Sequence, residues 1–275
     1  MKYSPIEFKS KMEKYGFNLK KMYGQNFIID ENIINNIILT SNIDKDTLVI
    51  EIGPGAGSLT YKLSKYAKNV LCYEIDTTLK PILEDNLKEC NNIEIVFRDF
   101  LKSNVLNDIK KYDYKKLYVV ANLPYYITTP IIMKFIEDRV PVDKIVVMVQ
   151  KEVGDRFKAK PNSRDYNSLS IYLNYYFNVE KLLDVSKNVF IPRPNVDSIV
   201  VEFSKKQNKY NLKNETLFFN LVKDSFTQKR KTLKNNLKKY DLKIIEQVLK
   251  KYNFDLSVRA EQLSIEVFVD IANNL

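Results

Sequence analysis

Apolar runs rich in β-branched residues recur at 48–52, 69–75, 93–97, 117–121 and 145–150, each bounded by polar or turn-forming residues. Strands apolar on both faces predict a buried parallel sheet. The stretches between them carry apolar residues at helical spacing, as at Leu59, Leu63 and Ala67, and predict the helices that cover such a sheet. Two later runs break the alternation. Residues 169–177 (Leu-Ser-Ile-Tyr-Leu-Asn-Tyr-Tyr-Phe) and 198–203 (Ser-Ile-Val-Val-Glu-Phe) are separated by a segment containing Pro192 and Pro194. They predict an antiparallel closing pair.

From residue 205 the composition shifts to Lys and Asn with no further strand candidate, and helical patterns occupy about 214–239, 242–252 and 258–273. The expected organisation is a basic N-terminal segment over 1–22, mobile before it meets a partner, an α/β domain over 23–204 and a small α-helical domain over 205–275. No internal repeat is visible.

Charge sharpens this division. The chain carries a net +10, but residues 1–22 hold six lysines against two glutamates and residues 206–275 hold 14 Lys/Arg against eight Asp/Glu. The middle is left with 24 charges of each sign. A neutral body with basic ends points to a polyanion held by the flanks, and to nucleic acid in particular. No apolar stretch approaches the ~18 residues of a membrane span. The start Met1-Lys-Tyr-Ser-Pro5 lacks a signal-peptide core, so a cytoplasmic protein is expected.

Chemistry is narrowed by what is missing. With no histidine and two cysteines, Cys72 and Cys90, a Ser-His-Asp or Cys-His mechanism is excluded, and no metal is expected. Catalysis must come from positioning, from carboxylates, or from a cofactor that brings its own reactive group.

Three of only six glycines in 275 residues sit in Glu51-Ile-Gly-Pro-Gly-Ala-Gly57. The loop follows strand 48–52 and precedes a predicted helix, where open α/β sheets bind nucleotides. Its G-x-G-x-G spacing departs from the dinucleotide fingerprint. It resembles the methyltransferase loop that cradles the methionine portion of S-adenosylmethionine, and Gly53 and Gly55 are the expected contacts. Glu74, 21 residues beyond Gly53 at the end of Val70-Leu-Cys-Tyr-Glu74, is placed to accept from both ribose hydroxyls. Asp76 is its competitor, facing the same way in an extended chain. Asp99, just after strand 93–97, is placed to take the adenine amino group.

Strand 117–121 runs into Asn122-Leu-Pro-Tyr125. Asn122 offers a side-chain carbonyl, and Leu123, biased to extended geometry by Pro124, offers a main-chain one. Two acceptors can hold both hydrogens of an exocyclic amine, and Tyr125 supplies a ring on which a base can stack, worth ~1–3 kcal/mol. The tetrad resembles the signature of S-adenosylmethionine-dependent amino methyltransferases acting on adenine. Five parallel strands closed by an antiparallel pair likewise resemble the α/β class I methyltransferase fold, a Rossmann-like seven-stranded sheet, here with a C-terminal α-helical domain.

Gln25-Asn-Phe-Ile28, the 53–57 loop, Asn122-Leu-Pro-Tyr125, Val189-Phe-Ile-Pro-Arg-Pro-Asn-Val-Asp-Ser198 and Phe226-Thr-Gln-Lys-Arg-Lys-Thr-Leu233 occur in this order. Together, from about residue 20 to 275, they resemble the small-subunit ribosomal RNA adenine dimethyltransferase family. The resemblance implies methyl transfer from S-adenosylmethionine to the exocyclic amines of two adjacent adenosines. These lie in the 3'-terminal hairpin loop of small-subunit (16S) ribosomal RNA, during 30S biogenesis, and the expected enzyme is monomeric. It further implies that Asn26 and Ile28 touch the cofactor beside Gly53, Glu74, Asp99 and Asn122, and that Phe190 stacks on the target adenine opposite Tyr125. Read from the residues alone, Phe190 is equally a core residue before a Pro-rich turn. Arg230, Lys231, Lys234 and Lys238, on a predicted helix with Phe226, Leu233 and Leu237, are the expected RNA contacts. Departures from the family pattern are Tyr23, where Leu is frequent, and Lys229, where Arg is common.

Two alternatives remain at this level. Large-subunit adenine methyltransferases of the macrolide-resistance type are similar through residue 125, but commonly carry Ile at the Leu123 position and lack this form of the 226–237 stretch. A non-catalytic assembly or transcription factor on the same fold would not need Asn122, Tyr125, Glu74 and Asp99 together.

Overall fold

The computed structural model describes residues 5–17, 26–124, 127–207 and 210–275. In chain order the first elements are α1 (Pro5–Lys14), β1 (Phe27–Ile28), α2 (Glu31–Ser41), β2 (Thr47–Ile52), α3 (Ser58–Tyr66), β3 (Asn69–Glu74), α4 (Lys80–Leu87), β4 (Ile93–Phe97), α5 (Val105–Ile109) and β5 (Lys116–Asn122). There follow α6 (Thr128–Glu137), β6 (Lys144–Gln150), α7 (Lys151–Phe157), α8 (Ser168–Tyr176), β7 (Phe177–Val185), β8 (Phe190–Ile191) and β9 (Ser198–Lys205). The last are α9 (Glu215–Ser225), α10 (Leu233–Asn236), α11 (Leu242–Lys251) and α12 (Ile265–Asn274). The chain divides into two compact units, Met1–Gly154 with Glu180–Ser204, and Asp155–Val179 with Lys205–Leu275.

The first unit is built on a seven-stranded sheet of order β4-β3-β2-β5-β6-β9-β7. β4, β3, β2, β5 and β6 are mutually parallel, and β9 closes antiparallel on β6 with Lys144 opposite Ser204 and Gln150 opposite Ser198. Leu48, Val49 and Ile50 of β2 are wholly buried, as befits the central strand of a sheet covered on both faces. One face packs Val49, Val70 and Val120 against Ile34, Ile37 and Ile38 of α2 and Leu59 and Leu63 of α3. Because the strands are parallel, their carboxyl ends lie along one edge, and the glycine loop, Glu74, Asp99 and Asn122 all follow from those ends.

Three expectations are corrected. Residues 169–176 are not a strand but lie in α8, and the strand next to β9 is β7, which begins at Phe177. The tyrosines and Ile171 read as β-formers, but Asn167 caps a helix: its Oδ1 accepts from the amides of Leu169 (2.9 Å) and Ser170 (3.3 Å), while its own N–H donates to Ser170 Oγ. This capping box decides the segment. Ile171 and Tyr175, one turn apart, then enter the core of the second unit, so residues 155–179 leave the α/β domain to which the sequence assigned them. β7 is harder to read because it carries Glu180, Lys181 and Asp184, charges suited to an edge strand.

The second correction concerns 214–239, which is not one helix. α9 ends at Ser225 and α10 begins at Leu233. The Asn236 amide donates to Ser225 O (2.6 Å) and Gln228 O (3.3 Å), and the amides of Leu233 and Lys234 donate to Val258 O and Leu256 O. These long-range bonds replace the ladder a continuous helix would have made. Leu233 and Leu237 still reach the core, beside Phe218, Leu221, Val248, Leu249 and Phe268.

The third concerns the described part of the N-terminal segment, since residues 1–4 and 18–22 lie outside the described residues. Residues 5–14 form α1, and Met12, 7% exposed, joins a cluster with Phe27, Ala56, Leu79, Ile82, Leu83 and Leu87. Lys11 binds the side chains of Asp85 (3.1 Å) and Asn86 of α4. One buried methionine and a lysine with two partners anchor a helix that has no wide apolar face.

Candidate active site

The carboxyl ends of β2, β3, β4 and β5 border a cleft lined by residues 51–56, Tyr73-Glu74-Ile75, Arg98-Asp99-Phe100-Leu101, Asn122-Leu123-Pro124 and, from β1 and the residue before it, Asn26-Phe27-Ile28. The turn at 53–57 strongly favours glycine. Gly53, Gly55 and Gly57 have φ of +70°, +58° and +86°, in the left-handed region that a Cβ disfavours. A Cβ on Gly55 would also meet the Phe27 ring at 3.0 Å. The loop is fixed by Gly53 N–H to Tyr73 O and by Gly57 N–H to Pro54 O, both 2.9 Å. It leads into the N-terminus of α3, where free amides favour an anionic group.

Geometry separates the two competing carboxylates. Glu74 lines the cleft and accepts from Gly55 N–H (3.1 Å) and Asp76 N–H (2.9 Å), one on each oxygen. Burial pushes its carboxyl up to about 6, against the pull of those two amides. Asp76 is turned away and caps the turn at 77–79, its Oδ1 accepting from Thr78 N–H and Oγ1; it is not part of the lining. Asp99 caps the next turn, with Oδ1 accepting from Leu101 N–H at 2.9 Å.

Asn122 ends β5, and its side-chain amide donates to the main-chain oxygen of Asn26 at 2.8 Å. That bond fixes which way the amide points and leaves Oδ1 as the acceptor. Leu123 is buried, and Pro124 O accepts from Ile127 N–H and Thr128 Oγ1 at the start of α6. Tyr125 lies outside the described residues. Phe190 is not brought to the cleft: at 2% exposure it sits in the core with Ile28, Tyr118 and Val185, its backbone paired with Ile28 across the β1–β8 ribbon. This position agrees with the core reading, and stacking on the target adenine rests on the resemblance alone.

Several lining residues carried too weak a signal to be singled out from sequence. Glu51 is one, 1% exposed within a β2 otherwise apolar from Leu48 onward. Burial raises its carboxyl to about 8, the Thr60 hydroxyl and Cys72 thiol drawing it part of the way back. The Cys72 Sγ–Glu51 Oε2 distance is 3.7 Å, and burial pushes that thiol well up too. A charged residue inside an apolar strand was the available clue. Arg98, Tyr73, Phe100 and Leu101 are the others. Among the described residues no group of three or more His, Cys, Asp or Glu is gathered as a metal would require.

In the second unit Arg230, Lys231, Lys234 and Lys238 are exposed. They do not share one helix: Arg230 and Lys231 lie in the turn after α9, Lys234 in α10 and Lys238 beyond it. Lys229 Nζ donates to Arg164 O, tying this turn to the 160–165 loop, so exposed Lys160 and Arg164 border the same surface.

Residues 16–275 match the family described as Ribosomal RNA adenine dimethylase. The chain is 46% identical over 277 residues to Ribosomal RNA small subunit methyltransferase A of Staphylococcus aureus (strain bovine RF122 / ET3-1), covering 98% of this chain and 93% of that protein. The fold is similar to that of a dimethyladenosine transferase from Plasmodium falciparum, with TM-score 0.73 and 27% identity over 89% of this chain and 95% of that one. It is also similar to that of the 23S rRNA methyltransferase ErmE, with TM-score 0.70 and 25% identity over 90% and 99%.

Proposed function

Because this chain belongs to the ribosomal RNA adenine dimethylase family, whose methyl donor is S-adenosylmethionine, we propose the following division of labour within its cleft. The glycine loop holds the methionine end of the donor, Glu74 both ribose hydroxyls and Asp99 the adenine amino group, with Asn26 and Ile28 completing the wall. The residues suit that group: a side chain at Gly55 would press on the Phe27 ring and strain a left-handed backbone, and a buried carboxylate and a capping carboxylate stand at the tips of adjacent strands. When bound, the donor supplies a sulfonium methyl already activated for displacement.

The protein's own contribution is positioning. The Asn122 Oδ1 and the Leu123 carbonyl receive the two hydrogens of the target amine, favouring a more tetrahedral nitrogen whose lone pair faces the methyl. Tyr125 offers the ring against which the base stacks. After transfer the cationic nitrogen loses its proton readily, so no tuned base is needed, in keeping with a chain without histidine. The observation that carries this reading is the Asn122–Asn26 bond, which commits the amide N–H and leaves the oxygen for substrate.

The name of the S. aureus relative supports adenosines of small-subunit RNA as the substrate, in keeping with Leu123, and we take them to be two adjacent ones in the 3'-terminal hairpin loop of 16S RNA. Arg230, Lys231, Lys234 and Lys238 hold its phosphates. The enzyme acts in the cytoplasm as a monomer; among the described residues no helix is long and apolar enough to cross a membrane. Methyl transfer from labelled donor to undermethylated small subunits, large subunits and naked RNA tests this directly. Preferential dimethylation of small subunits is expected, and transfer to large subunits alone would refute it in favour of the macrolide-resistance type.

A further inference from the structure

The turn that carries Asp99 is closed by a ring of side-chain bonds. Arg98 Nε donates to Ser103 Oγ (2.8 Å), and Ser103 Oγ donates to Asp99 O (2.9 Å). The outer nitrogen of Arg98 reaches α5, where it pairs with Asp108 Oδ2. The same oxygen accepts from the Tyr73 hydroxyl at 2.8 Å, and Tyr73 is the neighbour of Glu74. One carboxylate oxygen on α5 thus ties the tip of β3 to the tip of β4. Ring packing reinforces the tie: Arg98 lies over the Tyr73 ring at 5.7 Å, and Tyr73 meets Phe100 edge-on at 5.2 Å.

We infer that Asp108 is a positioning residue for the adenosine half of the cofactor cleft, setting the spacing between Glu74 and Asp99 through Tyr73 and Arg98. Asp108 is not among the residues lining the cleft and touches no reacting atom. Its ion pair involves a 42% exposed Arg98 side chain and so contributes little to folding by itself. The geometry it enforces matters more than the pair itself. Two carboxylates that must meet hydroxyls and an amine on one rigid nucleoside tolerate little error in separation.

The inference rests on the proposed roles of Glu74 and Asp99, and the test separates the two. Binding of S-adenosylhomocysteine, and of its inosine analogue with oxygen in place of the adenine amine, is measured calorimetrically for Asp108→Ala, Tyr73→Phe, the double variant and Asp99→Ala. For Asp108→Ala the expected result is affinity for S-adenosylhomocysteine lower by roughly tenfold with the analogue much less affected, so that discrimination shrinks. The melting temperature should fall only slightly, through the lost partner of the Tyr73 hydroxyl, and kcat at saturating donor should stay within about twofold of the parent. Tyr73→Phe should move in the same direction by less, and the double variant should be no weaker than Asp108→Ala alone. Parental affinity in Asp108→Ala overturns the inference, as does equal weakening of both ligands accompanied by a much lower melting temperature. If Asp99→Ala discriminates like the parent, the adenine role of Asp99 is what fails, and affinity for S-adenosylhomocysteine alone then judges Asp108.

Discussion

Replacing Glu74 by Gln should leave the fold standing while removing most of the cofactor affinity and all of its acid sensitivity. The carboxyl is 4% exposed, and burial lifts it from 4.5 to about 6. A raised carboxylate favours the protonated form in the folded state, so stability is lost as pH climbs from about 4.5 through 6. Above that window the ionised group costs about 2 kcal/mol. Gln removes this cost but satisfies only one of the two amide donors, at Gly55 and Asp76, losing about 1 kcal/mol in hydrogen bonding. The two effects nearly cancel, and the melting temperature at pH 7.5 should scarcely move. Binding behaves differently. Two ribose hydroxyls stabilise the ionised carboxylate by roughly 1.5–3 kcal/mol, so the parent should bind S-adenosylhomocysteine 10- to 100-fold more tightly than the variant above pH 7. As pH falls below about 6 the parent must first shed a proton, and its affinity should drop by about tenfold per unit. The variant should show no such slope. Calorimetric titrations of both proteins between pH 5 and 8, with melting curves alongside, decide the matter. Equal affinities at pH 7.5, or a pH slope that survives in Glu74→Gln, would remove Glu74 from the ribose site.

Asn122→Ala should lower turnover by roughly 10²–10³-fold, the usual cost of a lost transition-state hydrogen bond, with cofactor affinity nearly unchanged; parental turnover in a single-turnover assay refutes the amine-positioning role. Glu51→Gln should raise the melting temperature at pH 9. The parent carboxyl, near 8, ionises there in a fully buried site at a cost of no more than about 5 kcal/mol, and an identical alkaline decline in both proteins would mean that another group titrates. Replacing Lys231, Lys234 and Lys238 by Gln should weaken small-subunit binding and flatten its salt dependence by roughly 0.7–0.9 log units per lost phosphate contact. An unchanged slope would move the RNA contact elsewhere.

The strands of the parallel sheet were legible because a strand buried on both faces has only one composition open to it, and Leu48, Val49 and Ile50 display it without interruption. Segments whose fate depends on a single polar residue were not. Tyr172, Leu173, Tyr175 and Tyr176 suit a strand, yet Asn167 starts a helix, and Tyr172 and Tyr176 stack there on Phe219. The break between α9 and α10 was hidden for the opposite reason. Phe226, Leu233 and Leu237 keep helical spacing, while the competing hydrogen bonds come from residues 256–258, some twenty positions downstream. Periodicity reports which residues are buried; it does not report which backbone partner satisfies the amide.

The site divides in the same way. Gly53, Gly55, Glu74, Asp99 and Asn122 stand at strand tips, and a parallel sheet brings its tips to one edge, so order along the chain becomes adjacency in the cleft. Phe190 arrives instead on a two-residue ribbon whose partner, β1, lies more than 160 residues earlier, and no spacing rule says whether its ring faces cleft or core. Asp108 is more remote still: an acidic residue on a five-residue helix, indistinguishable in sequence from a solvated charge. Only its shared hydrogen bonds with Tyr73 and Arg98 give it a role. Residues that touch a ligand can be found from the element that ends beside them, whereas residues that hold those in place depend on side-chain geometry that no motif encodes. On the inference drawn for Asp108, donor affinity should therefore respond to substitutions at positions 98, 103 and 108 that leave every motif intact.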